Sequence, residues 1–161
     1  MAAIYPDALP QVYGYLLPRC GSVALAEDLT AETFMAAVAV GRRHPPPNVS
    51  VAWLIGIARH KLIDHWRRSE RERRGLAAVE QERSPTDDPW GEFLDAQAAH
   101  AALLQLSGPQ RTALTLRYLD GLSVPEVARH LDRSVHATET LLVRARGALR
   151  RVYEEGEHHA A

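Results

Sequence analysis

Trp53 to Arg74, WLIGIARHKLIDHWRRSERERR, is the stretch on which the fold class turns. Leu54, Ala58, Leu62 and Trp66 recur every four residues, and Ile55, Ile57 and Ile63 widen the stripe, which is the spacing of a helix that buries one face. A helix is therefore predicted. Its other side carries Arg59, Lys61, Arg67, Arg68, Arg71, Arg73 and Arg74 against Asp64, Glu70 and Glu72. With Trp53 and Trp66 among them, such a helix suits a path along phosphates, with flat rings near bases. A packing helix with a solvated basic end satisfies the same pattern.

The chain has 161 residues, room for one domain or two small ones, each half able to bury a modest core. A single cysteine, Cys20, cannot close an internal disulfide and fits a reducing cytoplasm, where it reads as a small core residue. The N-terminus MAAIYPDALP lacks a basic start followed by an apolar run, and nowhere do about 18 apolar residues follow one another. Neither export nor membrane insertion is expected, and a cytoplasmic location is. The net charge of -1 hides an uneven distribution. Residues 1–74 carry ten Lys and Arg against seven Asp and Glu, residues 75–100 one against six, and residues 101–161 eight against seven. An acidic connector between locally basic faces lowers affinity for random DNA, so tight binding would need a partner.

Upstream of the central stretch, Leu9, Val12, Tyr13, Leu16 and Leu17 fall at helical spacing between Pro6 and Pro18. Residues 24–40, ALAEDLTAETFMAAVAV, are rich in helix formers. Leu25, Leu29, Phe34, Val38 and the alanines are predicted to form the apolar side, with Glu27, Asp28 and Glu32 acidic on the other. The three prolines of GRRHPPPNVS, residues 41–50, must end that helix, and Ser50 is placed to cap the next. Past Arg74, SPTDDPWGE at 84–92 signals a connector.

Two helix starts follow in the second half. Ser107-Gly108-Pro109-Gln110 and Ser123-Val124-Pro125-Glu126 both match the capping box, in which a serine and the side chain three residues on satisfy each other's backbone donors. Asp120-Gly121 closes the first of these helices and Val127, Ala128 and Leu131 give the second its apolar side. After the short Asp132-Arg133-Ser134 turn, Val135, Thr138, Leu142, Ala145, Leu149 and Val152 alternate steps of three and four, predicting a long last helix with that face inward. His136, Glu139, Thr140, Val143, Arg144, Arg146 and Arg150 remain on other faces. Short helix, tight turn and longer helix with polar and basic positions is the helix-turn-helix arrangement, whose second helix enters the major groove. Packing modules share the outline.

Three segments together resemble the extracytoplasmic-function (group 4) sigma factors of the sigma-70 family: AEDLTAETF at 26–34, WLIGIARHKLIDHWRR at 53–68, and LSGPQRTALTLRYLDGLSVPEVARHL with SVHATETLLVRARGALR across 106–150. The resemblance implies an all-α fold of two small helical domains joined by a flexible linker. Its expected bounds are a region 2-like domain at 1–75, an acidic linker at 76–92, a region 4-like helix-turn-helix domain at 93–155 and a disordered tail at 156–161. It implies an alternative sigma factor, not an enzyme, that binds bacterial RNA polymerase core through the clamp coiled coil and the flap. Asp28, Glu32 and Phe34 would contact core. Arg42, Arg43, His44, Asn48, Trp53, Arg59, Lys61, Trp66, Arg67 and Arg68 would recognise and melt the minus-ten element of promoter DNA. Arg133, His136, Glu139, Thr140, Val143, Arg144 and Arg146 would face the minus-thirty-five element. An anti-sigma factor would be a further partner, and Ala160-Ala161 resembles the C-terminus gripped by Clp-type proteases. No cofactor or metal is implied.

The sequence departs from the family's pattern at several positions. Ala31 stands where glutamine is usual, Val38 where tryptophan is frequent, Glu139 and Leu141 at commonly basic positions, and Asp132-Arg133 in a turn that often contains glycine. Two other functional classes fit parts of the sequence. His60, Asp64 and the adjacent His65 make a partial metal site, short of the three protein ligands usual for catalytic zinc, and no phosphate loop or nucleophile motif accompanies them. A one-component transcription regulator accounts for the helix-turn-helix but not for the acidic helix, proline loop and tryptophan-bearing basic helix in one order.

Overall fold

The computed structural model describes residues 3–43, 47–74 and 96–160, and among these every regular element is helical. The chain divides into two compact units, one ending at His65 and the other beginning at Trp66, so that the division falls inside a helix. The acidic linker expected at 76–92 lies outside the described residues, as do His44 and Ala161.

In the first unit, α1 (Tyr5–Cys20) buries Ala8, Val12 and Leu16, one residue per turn. It does not stop at Pro18 as predicted. That proline is exposed, and the carbonyl whose bond it forfeits belongs to Gly14, also exposed, so the missing bond faces water. The helix ends instead at Gly21, whose φ of 70° is left-handed, and Ser22 immediately caps α2 (Val23–Gly41) by accepting the Leu25 N–H at 3.3 Å. Helix α2 buries Ala26, Leu29, Thr30, Thr33, Phe34 and Ala37. The two threonines enter the interior because their hydroxyls donate to the carbonyls of Ala26 and Leu29, both at 2.7 Å. Val38, predicted inward, is 41% exposed. Helix α3 (Val51–Arg74) starts where Ser50 accepts the Trp53 N–H at 3.1 Å and buries the predicted row Leu54, Ala58, Leu62 and Trp66, together with Ile63.

The second unit is built on one apolar cluster. Ala99, Ala102 and Leu103 come from α4 (Ala96–Leu104), Ala113 and Leu114 from α5 (Gly108–Leu114), and Leu141, Leu142, Ala145, Ala148, Leu149 and Tyr153 from α7 (Val135–Ala160). Ser107 precedes α5 but makes no side-chain cap; the Glu70 carboxylate accepts the Gly108 N–H at 3.1 Å instead. A carboxylate at a helix N-terminus meets the positive end of its dipole, which is why Glu70 displaces the expected box with Gln110. Beyond Leu114 the chain widens into a π-helical turn, Thr115–Leu119, in which the Asp120 N–H reaches five residues back to the Thr115 carbonyl at 3.0 Å. Gly121, at φ 69°, then turns the chain toward α6 (Val124–Leu131).

Two expectations for α7 are corrected. Val135 is 43% exposed: it occupies the helix's first position, from which a side chain leans back beyond the packed surface. The tail expected to be disordered from 156 is helical through Ala160, where the rings of His158 and His159 lie 2.9 Å from the carbonyls of Glu154 and Glu155. The approach to Ala160 that the protease expectation takes as flexible is thus part of α7.

Candidate nucleic-acid interface

Helix α6 is only eight residues long, and its ends are fixed locally. Ser123 donates its N–H to Glu126 Oε2 at 2.7 Å and accepts the Glu126 N–H on its hydroxyl at 3.4 Å, completing the predicted box. These bonds from the Ser123 backbone and side chain hold the Glu126 carboxyl below its ordinary value. At the other end Asp132 takes the left-handed conformation, φ 53° and ψ 48°, and the Arg133 N–H closes onto the Ala128 carbonyl at 3.0 Å. Ser134 then starts α7: its hydroxyl accepts the Ala137 N–H at 3.1 Å, and its carbonyl accepts the Thr138 N–H at 3.0 Å and hydroxyl at 2.9 Å. Three residues therefore join two capped helices.

Packing selects the face that α7 presents. Thr138, Leu142, Ala145 and Leu149 are fully or almost fully buried, and His136, Glu139, Val143 and Arg144 are exposed at helical spacing. Thr140 is half-buried, its hydroxyl donating to the His136 carbonyl at 3.1 Å. Arg133 is exposed in the turn. Arg146 Nη1 donates to the Tyr118 hydroxyl at 2.8 Å. Leu141, at a position the family commonly gives to a basic residue, is 8% exposed and belongs to the core.

The other site residues are more dispersed. On α2, Asp28 is exposed and Glu32, one turn on, is half-buried. Phe34 points elsewhere, since two residues past Glu32 is more than half a turn; it is 9% exposed, with its ring edge-on to Tyr5 at 4.8 Å between centroids. Tyr5, Leu9, Tyr13, Glu27, Thr30 and Phe34 line a groove of about 480 Å³ between α1 and α2. The apolar residue at helical spacing from Glu32 is instead Met35, three residues on and 67% exposed, with the exposed Val38 a further three residues along. Arg42, Arg43 and Asn48 are exposed, and Trp53, Arg59 and Lys61 half-buried, all in the first unit. Trp66, Arg67 and Arg68 belong to the second. Trp66 is 3% exposed, with the Arg111 guanidinium 5.0 Å from its ring centroid, so its ring packs and offers no face to bases. Arg67 donates to the His130 carbonyl, and Arg68 is exposed. The His60 ring lies 3.2 Å from its own helix's Gly56 carbonyl, and among the described residues no three His, Cys, Asp or Glu side chains gather as a metal site. No described helix is long and apolar enough to cross a membrane.

Comparison with known proteins matches this order of elements. Residues 4–72 match sigma-70 region 2, and residues 96–149 match sigma-70 region 4. The extracytoplasmic-function (ECF) RNA polymerase sigma factor SigL of Mycobacterium tuberculosis is 31% identical over 96% of this chain and 89% of its own length. The ECF sigma factor BldN of Streptomyces coelicolor is 38% identical over 92% of this chain, which spans 58% of that relative's length. Among solved structures, the sigma factor RpoE of Bartonella quintana, determined in complex with the anti-sigma factor NepR, superimposes with a TM-score of 0.56 at 25% identity, covering 93% of this chain and 94% of that one. Sigma factors are DNA-binding regulatory proteins. With region 2 and region 4 in sequence and a full-length likeness to SigL, the chain belongs to the ECF sigma factors of the sigma-70 family, alternative factors that direct transcription initiation.

Proposed function

We propose that this chain acts in the cytoplasm, binds RNA polymerase core through the α2 face bearing Asp28 and Glu32, opens the minus-ten element with its first domain and reads the minus-thirty-five element with α7. Domains at 1–75 and 93–155 with a linker at 76–92 carry these tasks. The observation behind the assignment is the doubly capped α6, the Asp132–Ser134 turn and the exposed row His136, Glu139, Val143 and Arg144 on a helix that buries Thr138, Leu142 and Ala145. Such a row is a reading head in search of a groove. Unpairing a duplex costs energy, and single-stranded bases captured beside cations such as Arg42, Arg43 and Lys61 offset it without ATP. The Bartonella quintana factor is bound by an anti-sigma factor, and a regulator of that class is proposed as a partner of this chain.

Reconstitution tests the proposal. The purified chain added to bacterial polymerase core should co-elute with it and start transcription from a defined site on duplex DNA. Asp28→Lys with Glu32→Lys should weaken co-elution while leaving helicity unchanged. Failure of the wild-type chain to bind core would overturn the assignment, and full core affinity in the double variant would move the contact off this face of α2.

A further inference from the structure

Tyr118 is the side chain by which the turn closing α5 reaches the presented side of α7. Its hydroxyl accepts the Arg146 Nη1 hydrogen at 2.8 Å, and the residue is 38% exposed. The ring is held from its own side of the turn: the Arg117 guanidinium carbon lies 5.8 Å from its centroid, and Arg117 Nη1 donates to the Leu122 carbonyl at 3.0 Å. Leu122 is in turn placed by the left-handed Gly121 and by its N–H bond to the Leu116 carbonyl at 3.0 Å. The π-helical geometry of Thr115–Leu119 inserts an extra residue into the turn and so sets Tyr118 at an angle a regular α-helix would not give it. A continuous series of contacts thus runs from the backbone of a tight turn to the tip of an arginine.

We propose that Tyr118 is a positioning residue for DNA binding, holding the Arg146 guanidinium pre-ordered for a phosphate at the edge of the minus-thirty-five groove. The inference rests on the proposed role of α7. A phosphate is the partner because Arg146 lies ten residues beyond His136, about 15 Å along the helix axis, and the N-terminal residues of a recognition helix are the ones that reach base edges in a groove roughly 8.5 Å deep. Guanidinium carries five N–H donors in a planar fork, so one bond to a phenol oxygen orients it without exhausting it. An arginine already held this way loses less side-chain freedom on binding than one waving in solvent. The contribution is independent of base sequence, since a phosphate carries none.

The test is a double-mutant cycle in reconstituted holoenzyme, reading equilibrium affinity for promoter duplexes with intact and altered minus-thirty-five sequences. Tyr118→Phe removes only the hydroxyl and should weaken binding roughly three- to tenfold, by the same factor on both duplexes. In an Arg146→Ala background the same change should cost nothing more. Arg146→Ala should also flatten the dependence of log affinity on log salt by about one unit. Unchanged affinity in Tyr118→Phe overturns the inference and leaves the proposed function standing, as does a loss that persists without Arg146, which would mark Tyr118 as a packing residue. No effect of Arg146→Ala removes this end of α7 from the DNA surface and takes the inference with it. Absence of promoter binding by the wild-type holoenzyme would instead overturn the function itself.

Discussion

Glu126 and Ser123 satisfy each other reciprocally at the start of α6: the carboxylate accepts the serine's N–H at 2.7 Å and its hydroxyl at 3.0 Å, and the hydroxyl accepts the glutamate's N–H. Because these bonds favour the charged carboxyl, Glu126 is lowered from its ordinary value in the folded state. The stability it adds is therefore fully present above the unfolded-state value and is lost as the pH falls through the lower, folded one. Urea titrations of wild type and Glu126→Gln should show a gap at neutral pH that closes under acid. A constant gap at every pH would mean that the charge plays no part in the cap.

That box was legible because four consecutive residues contain the whole interaction, whereas the matching serine at 107 fails for a reason no local pattern holds. Glu70, 38 positions upstream, takes the Gly108 N–H. The long periodic rows transferred well: Leu54, Ala58, Leu62 and Trp66 on α3, and Thr138, Leu142, Ala145 and Leu149 on α7, are buried as spacing predicts. The mixed row of α2 transferred only in part. In α2 Leu29, Phe34, Ala26 and Ala37 are buried as predicted, but apolar and small residues are so dense there that Val38 falls outside, and Thr30 and Thr33 are inside because each satisfies its hydroxyl on its own helix. Of the site residues, the α7 row was readable as what a packed stripe leaves over. Burial of Trp66 was equally readable from its place in the α3 row, against its assignment to DNA, and the Tyr118–Arg146 bond depends on a π-helical turn that no periodicity announces.

Asp132 is the sole non-glycine residue with positive φ among the described residues, and it terminates α6. Aspartate tolerates the left-handed region, glycine does so freely, and a β-branched side chain does not. Asp132→Gly should leave the stability of the second domain nearly unchanged, and Asp132→Val should lower it by about 1–2 kcal/mol. Denaturant unfolding of both variants checks this. Equal stabilities would show that the turn relaxes out of the left-handed conformation.

Strand opening separates the first domain's basic groups from mere attraction to DNA. Arg42, Arg43 and Asn48 are exposed at the loop before α3, and Lys61 is half-buried on that helix. Alanine at all four, tested in reconstituted polymerase, should reduce transcription from closed duplex far more than from a template already mismatched at the minus-ten element, since the mismatch removes the unpairing cost these groups are proposed to offset. Equal losses on the two templates would leave them only an electrostatic role.

Glu139 sets the sharpest test of how α7 reads DNA. It is exposed immediately after the buried Thr138, between His136 and Val143 on the presented face, and Arg144 is exposed farther along. An ionised carboxylate only accepts hydrogen bonds, so the base group that suits it is the cytosine amino group, while beside a phosphate it is repelled. Arginine can pair with guanine or with phosphate. Arg144→Ala should weaken promoter binding, and Glu139→Ala should alter preference at one base pair by about 1–3 kcal/mol if the carboxylate makes a direct base contact. If Glu139 serves only to neutralise a nearby cation, its loss changes affinity evenly across sequences. Selection of minus-thirty-five variants with the wild-type and Glu139→Ala holoenzymes distinguishes the two: a shifted preference at a single position identifies the base it reads, and identical preferred sequences leave the reading to His136, Thr140 and Arg144.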